Sequence, residues 1–317
     1  MTTNRSMIAK SLIPGVHEFV GLSYGETPQE HLPLYEVLKS DRSFEEEVYV
    51  SGMGGADVKP EGQAVMFDDI RESYTSRYQH ETIAIGFAVT KEAFDDDQYD
   101  TIARAKAQEL GRSMADTKQV KAVSVFNYGF TNDGLHNGGD GVPLFSTAHP
   151  TSVGTFSNMV SADLSESALE DASIAISKTT NDRGILISLK AQSIIIPPEL
   201  QFTARKILFS DLSTGAGTFA LQNGLTAAQS TKTVNDMNAL REMGSFPKGT
   251  FINHRLTDPD AWFIKTSAPN GTKMFVREAL SGSEDTDFNT DNMLFKFRER
   301  YSFGWTDPRQ WYGSQGS

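Results

Sequence analysis

Residues 293–305 read MLFKFRERYSFGW, and this stretch is the starting point for predicting the fold. Apolar side chains stand at every odd position except Glu299, whereas the even positions carry mostly basic or small groups. Because neighbouring side chains of a strand point to opposite faces, the alternation predicts one long amphipathic strand. We expect its aromatic row to lie in a hydrophobic core and its basic row to meet acidic groups or solvent.

A long helix is predicted upstream, over about residues 95–127. Three aspartates at positions 95–97 lie where negative charge meets the positive end of a helix dipole. Apolar side chains then recur at spacings of three and four, at Ile102, Ala103, Ala107, Leu110 and Met114. About thirty residues rising 1.5 Å each give a rod roughly 45 Å long, so we expect this helix to back a broad sheet.

Residues 46–90 predict strands interrupted by a glycine-rich loop. The interruption at 51–62 reads SGMGGADVKPEG, a composition typical of turns and loops. The returning strand ends in residues 83–89, where large and small side chains alternate. Such an excursion is either a simple surface hairpin or a flap that lies on a neighbouring molecule. Residues 1–44 predict an irregular arm with one short helix, which is either a loose terminus or a segment ordered by partners.

From residue 165 onward the pattern changes to mixed helices and strands. Ser167 and Glu170 fit a capping box at the start of a helix. Three isoleucines at 194–196 predict a short buried strand that Pro197 and Pro198 end. Residues 211–232 are small, polar and glycine-rich, which predicts a flexible loop.

Composition excludes several classes of protein. The chain has 317 residues, a formal net charge of −12 and no cysteine, which rules out disulfides and thiolate metal sites. A nucleic-acid binder carries a basic stripe, whereas this chain has acidic runs such as residues 45–47. No apolar run approaches the ~20 residues of a membrane span, and residues 1–12 lack the apolar core of a signal peptide. We expect a soluble protein made in the cytoplasm, without a membrane partner.

The histidines suggest an alternative in which the chain is an enzyme. A hydrolase could use His80, His149 or His254, and His136 lies near His149 in the loop-rich region 129–160. However, the sequence contains no nucleophile elbow, phosphate-binding loop or zinc-ligand spacing. We therefore predict no catalytic residue, no cofactor and no metal site, and we predict that the chain is not an enzyme.

Several segments, in the correct order along the chain, resemble the Mu-like phage major head subunit family. The resemblance spans roughly residues 45–313. The segments are GVPLFSTAHP at 141–150, NDRG at 181–184 followed by a strand and Pro197-Pro198, TDPDAWF at 257–263, DFNT at 287–290 and RERYSFGWTDPR at 298–309. Each motif alone is modest, and their common order makes the resemblance specific.

The resemblance implies an α+β fold of the Hong Kong 97 type. In that fold an N-terminal arm and an extended loop (the E-loop) accompany a peripheral domain with a long spine helix and an axial domain. The implied segments are the arm at 1–44, the E-loop at 46–81, the peripheral domain at 82–164 and 272–305 with the spine helix at about 95–127, and the axial domain at 165–271 and 306–317.

The implied function is that of a major capsid protein. Pentamers and hexamers would form the icosahedral head that encloses the double-stranded DNA of a tailed phage. The implied partners are other copies of the chain, separate scaffold and portal proteins, and cement proteins. The implied location is the virion, after assembly in the host cytoplasm. Two rivals stay open: an encapsulin-like compartment of the same fold, and a tail-tube or adhesin protein, which the long helix disfavours.

Contacts between subunits are expected where the chain cannot bury its own surface. Ordering an arm or a loop costs conformational entropy, which contacts with neighbouring copies offset. The predicted contact residues are Met53, Val58, Lys59, Pro60 and Val65 in the loop, and Ile13, Val16 and Phe19 in the arm.

Overall fold

The computed structural model describes residues 9–92, 99–134, 136–211 and 237–316. The helices are α1 (Ala9–Glu26), α2 (Tyr99–Asn127), α3 (Glu166–Ser177), α4 (Gln201–Phe209) and α5 (Ala239–Glu242), with 3-10 turns at Pro198–Leu200 and Pro308–Gln310. The strands are β1 (Glu36–Lys39), β2 (Phe44–Val50), β3 (Glu72–Gln79), β4 (Glu81–Val89), β5 (His149–Thr151), β6 (Gly154–Phe156), β7 (Met159–Val160), β8 (Ala191–Ile196), β9 (Thr250–Ile252), β10 (Trp262–Thr266), β11 (Thr272–Thr286), β12 (Met293–Trp305) and β13 (Trp311–Ser314).

The chain divides into two units. Unit 1 comprises Met1–Glu46, Arg77–Ser124 and Lys273–Gly304, and unit 2 comprises Glu47–Ser76, Val125–Thr272 and Trp305–Ser317. Several elements, including β2, β3 and α2, pass from one unit into the other. The peripheral and axial boundaries expected from the resemblance stay a prediction.

Unit 1 is built on the long strand that the sequence predicts. Its sheet has the order β1-β11-β12-β4, with β1 parallel to β11. Strand β12 pairs antiparallel with β4, from Met293 opposite Val89 to Tyr301 opposite Glu81. The predicted amphipathic strand is thus confirmed as a single element of 13 residues.

Helices α1 and α2 cover one face of this sheet. Phe295 and Phe297 of β12 are nearly fully buried and share a core with both helices. The other buried members of that core are Val16, Val20, Val89, Ala103, Ala107, Leu110 and Met114. The predicted apolar stripe of α2 is therefore confirmed at four of its five positions, and the side chain of Ile102 and the start at 95–97 lie outside the described residues.

The prediction of an irregular arm with one short helix is wrong for residues 9–26. These residues form an 18-residue helix despite Pro14 and three glycines. Burial of Val16 and Val20 against α2 explains the difference, because tertiary packing overrides weak local propensity. The two helices approach so closely that a Cβ at Gly111 would lie 2.6 Å from the Val20 carbonyl oxygen.

The one charged residue in the apolar row of β12 has a dedicated set of partners. Glu299 is fully buried, and its Oε2 accepts from Lys118 Nζ at 2.8 Å and from the Tyr24 hydroxyl at 3.0 Å. Burial raises the pKa of Tyr24, and the negative charge of Glu299 raises it further. Because burying a charge is unfavourable without a partner, this network explains how Glu299 is tolerated and fixes α1, α2 and β12 together.

Unit 2 has a five-stranded sheet of order β7-β13-β10-β8-β9. Ile194, Ile196 and Trp262 are fully buried in its core together with side chains from α3 and α4. Strand β8 confirms the short buried strand predicted at 194–196, and the 3-10 turn at Pro198–Leu200 follows it. The capping box predicted at Ser167 is wrong, because helix α3 is capped two residues earlier. Its cap is Ser165, whose hydroxyl accepts from the amide of Ala168.

Among the residues that the structure describes, no helix combines the length and the apolarity that crossing a membrane requires. The flexible loop predicted at 211–232 lies outside the described residues, apart from Asp211.

We expect Gly111→Ala to lower the free energy of unfolding by about 1–3 kcal/mol, because the new methyl group has no space between α1 and α2. Gly21→Ala is the matched control. A Cβ at Gly21 meets nothing within 4 Å, so this change should stabilise helix α1 by up to about 1 kcal/mol. Denaturant unfolding followed by circular dichroism measures both. Equal effects of the same sign would contradict the close approach.

We expect Lys118→Met to destabilise unit 1 by about 3–5 kcal/mol, because it leaves Glu299 buried without its cation. Adding Glu299→Gln should recover most of this loss, since the amide oxygen still accepts from Tyr24. The exposed pair of Lys121 and Glu81 gives a control, and Lys121→Met should change stability by at most about 1 kcal/mol. Thermal unfolding measures all three variants, and an equal loss at both lysines would refute the assignment.

Candidate functional site

The predicted E-loop, residues 46–81, contains a long stretch, residues 53–70, whose large apolar side chains are exposed. Strands β2 and β3 form a two-stranded sheet at its root. Between Val50 and Glu72 the chain has neither strand nor helix, apart from a turn at residues 61–62. The glycine-rich composition accounts for this, since glycine and proline disfavour both regular structures.

The root of the loop is fixed by aromatic and polar contacts within unit 2. Tyr49 and Tyr74 stack with ring centroids 5.0 Å apart and an angle of 9° between their planes. The Tyr74 hydroxyl donates to the Thr306 carbonyl oxygen at 2.8 Å, and the Thr306 hydroxyl donates to Glu47 at 2.7 Å. Burial raises the pKa of Tyr49 to about 12, so its hydroxyl stays protonated at neutral pH.

Arg309 is the buried cation that holds this root. Its guanidinium donates to the Tyr49 hydroxyl at 2.8 Å, to the Thr180 carbonyl oxygen at 2.9 Å and to Asp307 at 3.4 Å. Burial raises the pKa of Asp307, and the charge of Arg309 opposes that shift. Side-chain hydrogen bonds and the stacked tyrosine rings therefore fix the root of the loop within unit 2.

A second attachment lies further along the loop. The amide of Gly54 donates to Asp68 Oδ2 at 2.6 Å, which ties the outgoing and returning segments together. Arg183 of unit 2 donates to the same carboxylate at 3.1 Å. The Gly54 hydrogen bond, with the charge of Arg183, lowers the pKa of Asp68 below its ordinary value. Since a Cβ at Gly54 would lie 3.1 Å from Asp68 Oδ2 and 3.3 Å from Arg183 Nη2, glycine suits this close approach.

The loop presents apolar side chains to solvent. Of the predicted contact residues, Val58 is 92% exposed, and Met53 and Val65 are more than half exposed. Lys59 and Pro60 are exposed as well. Sequence reasoning missed the most apolar part of the loop, which is the run Met66, Phe67 and Ile70 with Phe67 at 92% exposed. The signal was present in the sequence VMFDDI at 65–70, where apolar residues stand beside two aspartates.

The predicted contact residues of the arm have different surroundings. Val16 is buried in the core of unit 1 by its own chain, and Phe19 packs against that core beneath the Arg104 guanidinium. The side chain of Ile13 lies outside the described residues. The structure brings Val16 and Phe19 together on one side of α1, and their role between subunits stays a prediction.

A cavity of about 660 Å³ lies beside the loop within unit 2. Its lining mixes both signs of charge, with Arg71, Asp140, Asp182 and Arg183 among the residues. Asp182 accepts from the amide of Ser152, and Arg183 is paired with Asp68. Across the described ranges, no cluster of three or more histidine or carboxylate side chains could hold a metal ion.

The arrangement around His149 is structural rather than nucleophilic. His149 is buried, with Nδ1 2.7 Å from Asp140 and Nε2 3.2 Å from Asn158 Oδ1. Asn158 in turn donates to the carbonyl oxygens of Leu144, Pro308 and Trp311. Both ring nitrogens are therefore engaged, and through Asn158 the ring helps to pack three chain segments together.

His80 lies at the junction of β3 and β4 and is also buried. Its two ring nitrogens lie 2.9 Å from the Ser40 hydroxyl and 3.0 Å from the Ser302 hydroxyl. Burial lowers the pKa of His80 below its ordinary value, which favours the neutral ring. Ser40 also donates to Glu45 at 2.8 Å, so the group links three segments of unit 1. A buried imidazole that bridges two hydroxyl groups is typical of a residue that stabilises the fold.

We expect Asp68→Ala to release the Gly54 amide and to raise its rate of hydrogen exchange, while core amides keep their protection. Asp69→Ala is the control, because Asp69 lies beside Asp68 without accepting from Gly54. The pKa of Asp68 is below its ordinary 3.8, so the attachment is fully present above that pH and is lost as the pH falls through the lowered value. Unchanged protection of Gly54 in Asp68→Ala would show that the carboxylate does not hold the loop.

The sequence resembles a described family of proteins. A family model described as "Phage capsid protein" matches residues 73–314. The comparison with curated proteins gave no match.

Solved structures of similar fold cover nearly the whole chain. The capsid of an empty GTA particle is 13% identical with a TM-score of 0.54, covering 91% of this chain and 90% of that chain. A virus-like particle from Pyrococcus furiosus is 12% identical with a TM-score of 0.53, covering 94% and 97% respectively. A structure of Mycobacterium phage Adephagia is 10% identical with a TM-score of 0.53, covering 92% and 91%.

These matches confirm the predicted α+β architecture of the Hong Kong 97 type. The family match covers well over half of the sequence, including α2, β12 and the returning strand of the predicted E-loop. The chain belongs to the phage capsid protein family.

Proposed function

We propose that the chain is a major capsid protein that assembles as pentamers and hexamers into the icosahedral head of a tailed phage. The family match carries the proposal. The exposed apolar loop supports it, because a subunit that completes its buried surface only in an assembly needs such a feature. In this proposal the shell encloses double-stranded DNA, and the location is the virion after assembly in the host cytoplasm.

The energetics of the loop favour contact with other copies. Six large apolar side chains between Met53 and Ile70 are more than half exposed. Each would gain roughly 1.5–3 kcal/mol on full burial. Fixing the loop against a neighbour costs conformational entropy, and several such side chains together offset that cost. We assign the predicted contacts at Met53, Val58, Lys59, Pro60 and Val65 to this surface and add Met66, Phe67 and Ile70.

The arm contributes less exposed surface to the proposed contacts than the loop. Since Val16 is already buried by α2 and the sheet, contact with a neighbour would involve the outer side of α1, where Leu22 is 56% exposed. The attachment through Asp68 and Arg183 holds part of the loop on its own chain. We infer that assembly uses the apolar side chains that this attachment leaves exposed, from Met53 to Ile70.

Further properties follow from the same proposal. We propose a relationship to the Mu-like head subunits on the motifs at 141–150 and 287–309, with separate scaffold, portal and cement proteins as partners. The net charge of −12 suits a shell that must not adhere to the phosphates of enclosed DNA. We also propose the peripheral and axial domains as drawn from the resemblance.

A protein compartment that encloses other proteins is the rival within the same fold. The similar virus-like particle from Pyrococcus furiosus keeps this rival open. Electron microscopy of the purified chain, with analysis of co-purified molecules, separates the two. Icosahedral shells found with phage packaging components support the capsid, shells filled with a specific cargo protein support the compartment, and a permanent monomer contradicts both.

We expect the triple change Met66→Ser, Phe67→Ser and Ile70→Ser to abolish shell formation while leaving the fold intact, because it removes apolar surface that the isolated chain does not bury. The matched control changes Met66, Phe67 and Ile70 to leucine, retains the apolar surface and should still assemble. Sedimentation velocity measures assembly, and thermal unfolding verifies the fold. Normal shells from the serine variant would argue against the loop as an assembly surface.

A further inference from the structure

The hairpin of β11 and β12 ends in a turn that presents one bare aromatic ring. Phe288 is 96% exposed, more than any other large apolar residue among those described. The turn that carries it is hydrogen-bonded, with the amide of Asp287 donating to the Asn292 carbonyl oxygen and the amide of Asp291 donating back to Asp287. The Asp287 carboxylate also accepts from the Asn289 amide and, at 2.6 Å, from the Thr290 hydroxyl. Phe288 is thus held outward on an ordered support.

The surroundings of the ring are acidic. Glu284, Asp285, Asp287 and Asp291 lie within four residues of Phe288. Asp287 is occupied by the turn itself, and Asp291 lies 3.6 Å from Lys91. Asp285 is exposed and forms no ion pair within the described residues. The Asp285 carboxylate accepts from the Thr286 amide at 2.8 Å, and no cation is paired with it in the described ranges. The tip therefore combines one apolar ring with a carboxylate that can still take a cationic partner.

A groove on the same unit has the complementary character. It lies on the face of the sheet opposite α1 and α2 and has a volume of about 430 Å³. Its floor is a row of small residues on β4, Ala84, Gly86 and Ala88, and Leu294 and Lys296 stand across from Ala88 and Gly86 on β12.

Two details make this groove suited to an apolar side chain. Gly86 adds no side chain to the floor, and a larger residue has no room there, since a Cβ would lie 2.6 Å from the Phe295 carbonyl oxygen of the paired strand. Lys296 is exposed at its edge and forms no ion pair in the part of the chain that the structure describes. Next to it, Arg298 already pairs with Glu278 at 2.6 Å. A ligand with one bulky apolar group and a carboxylate would satisfy both the floor and Lys296.

We propose that the groove formed by Ala84, Gly86, Ala88, Leu294 and Lys296 receives Phe288 from a second copy of the chain. The ring at the tip is exposed on its own chain, so its own groove does not hold it. The acidic tip and the basic edge of the groove attract each other. The tip carries four acidic side chains within four residues of Phe288, whereas the segment around Phe67 has Asp68, which is paired with Arg183, and Asp69, so charge favours the tip as the occupant. Because every copy carries both the tip and the groove, the contact can repeat through an assembly. The inference rests on the proposed function and adds a contact between copies that does not involve the E-loop.

Cysteine cross-linking tests the contact, because the natural chain has no cysteine. A Phe288→Cys chain is mixed with an Ala84→Cys chain under assembly conditions and oxidised. A disulfide between the two different chains is expected. Ala105→Cys, at an exposed alanine of α2, replaces Ala84→Cys in the control and should give no product with Phe288→Cys.

Cross-linking of Ala84→Cys to a Phe67→Cys chain in place of Phe288→Cys would assign the groove to the E-loop and overturn the inference. Products only between two Phe288→Cys chains, or no product in intact shells, would overturn it as well. If the natural chain forms no closed shell, the proposed function fails, and the cross-linking alone then decides whether this contact exists.

Charge exchange gives a second and independent readout. Lys296→Glu should raise the concentration needed for half-maximal assembly on the order of tenfold, since it places two acids together. Adding Asp285→Lys should restore assembly toward the natural concentration. Restoration is a result that a purely structural role of Lys296 would not produce, and its absence together with missing cross-links would refute the contact.

Discussion

The large apolar side chains between Met53 and Ile70 are not buried by their own chain, and the proposed assembly depends on this exposure. A monomeric protein rarely keeps so many large apolar groups in water on one segment. The root of this segment is nevertheless firmly attached, because Tyr49 stacks on Tyr74 and the buried Arg309 donates to the Tyr49 hydroxyl. A firm root with an exposed apolar end is what a subunit requires when it completes its packing on neighbouring copies.

Buried charges hold the elements that position this loop. In unit 1 the network of Glu299, Lys118 and Tyr24 fixes the long strand to both helices. In unit 2 Arg309 bridges the loop root, a carbonyl oxygen at Thr180 and Asp307. Buried ion pairs add little net stability, but breaking one is costly, so such networks select one arrangement of the chain over others. A shell needs subunits of uniform shape, and this selection serves that need.

Sequence periodicity predicted the elements whose local pattern agrees with their tertiary surroundings. The strand at 293–305 and the helix ending at Asn127 are of this kind, since their apolar stripes face the core that the pattern implies. Helix α1 was predicted poorly because its glycines and Pro14 disfavour a helix locally, whereas burial of Val20 against Gly111 favours it. The attachment of Asp68 to Arg183 joins residues 115 positions apart, and no local pattern encodes such a pair. The resemblance, carried by ordered motifs, identified the fold that periodicity alone left open.

In the proposed assembly the loop gains its buried surroundings from other copies of the chain. Hydrogen exchange of residues 53–70, compared between the free subunit and the assembled particle, measures this most directly. We expect fast exchange of these amides in the free subunit and strong protection in the particle, with little change in the cores of units 1 and 2. Closed particles in which residues 53–70 exchange as fast as in the free subunit would contradict this expectation.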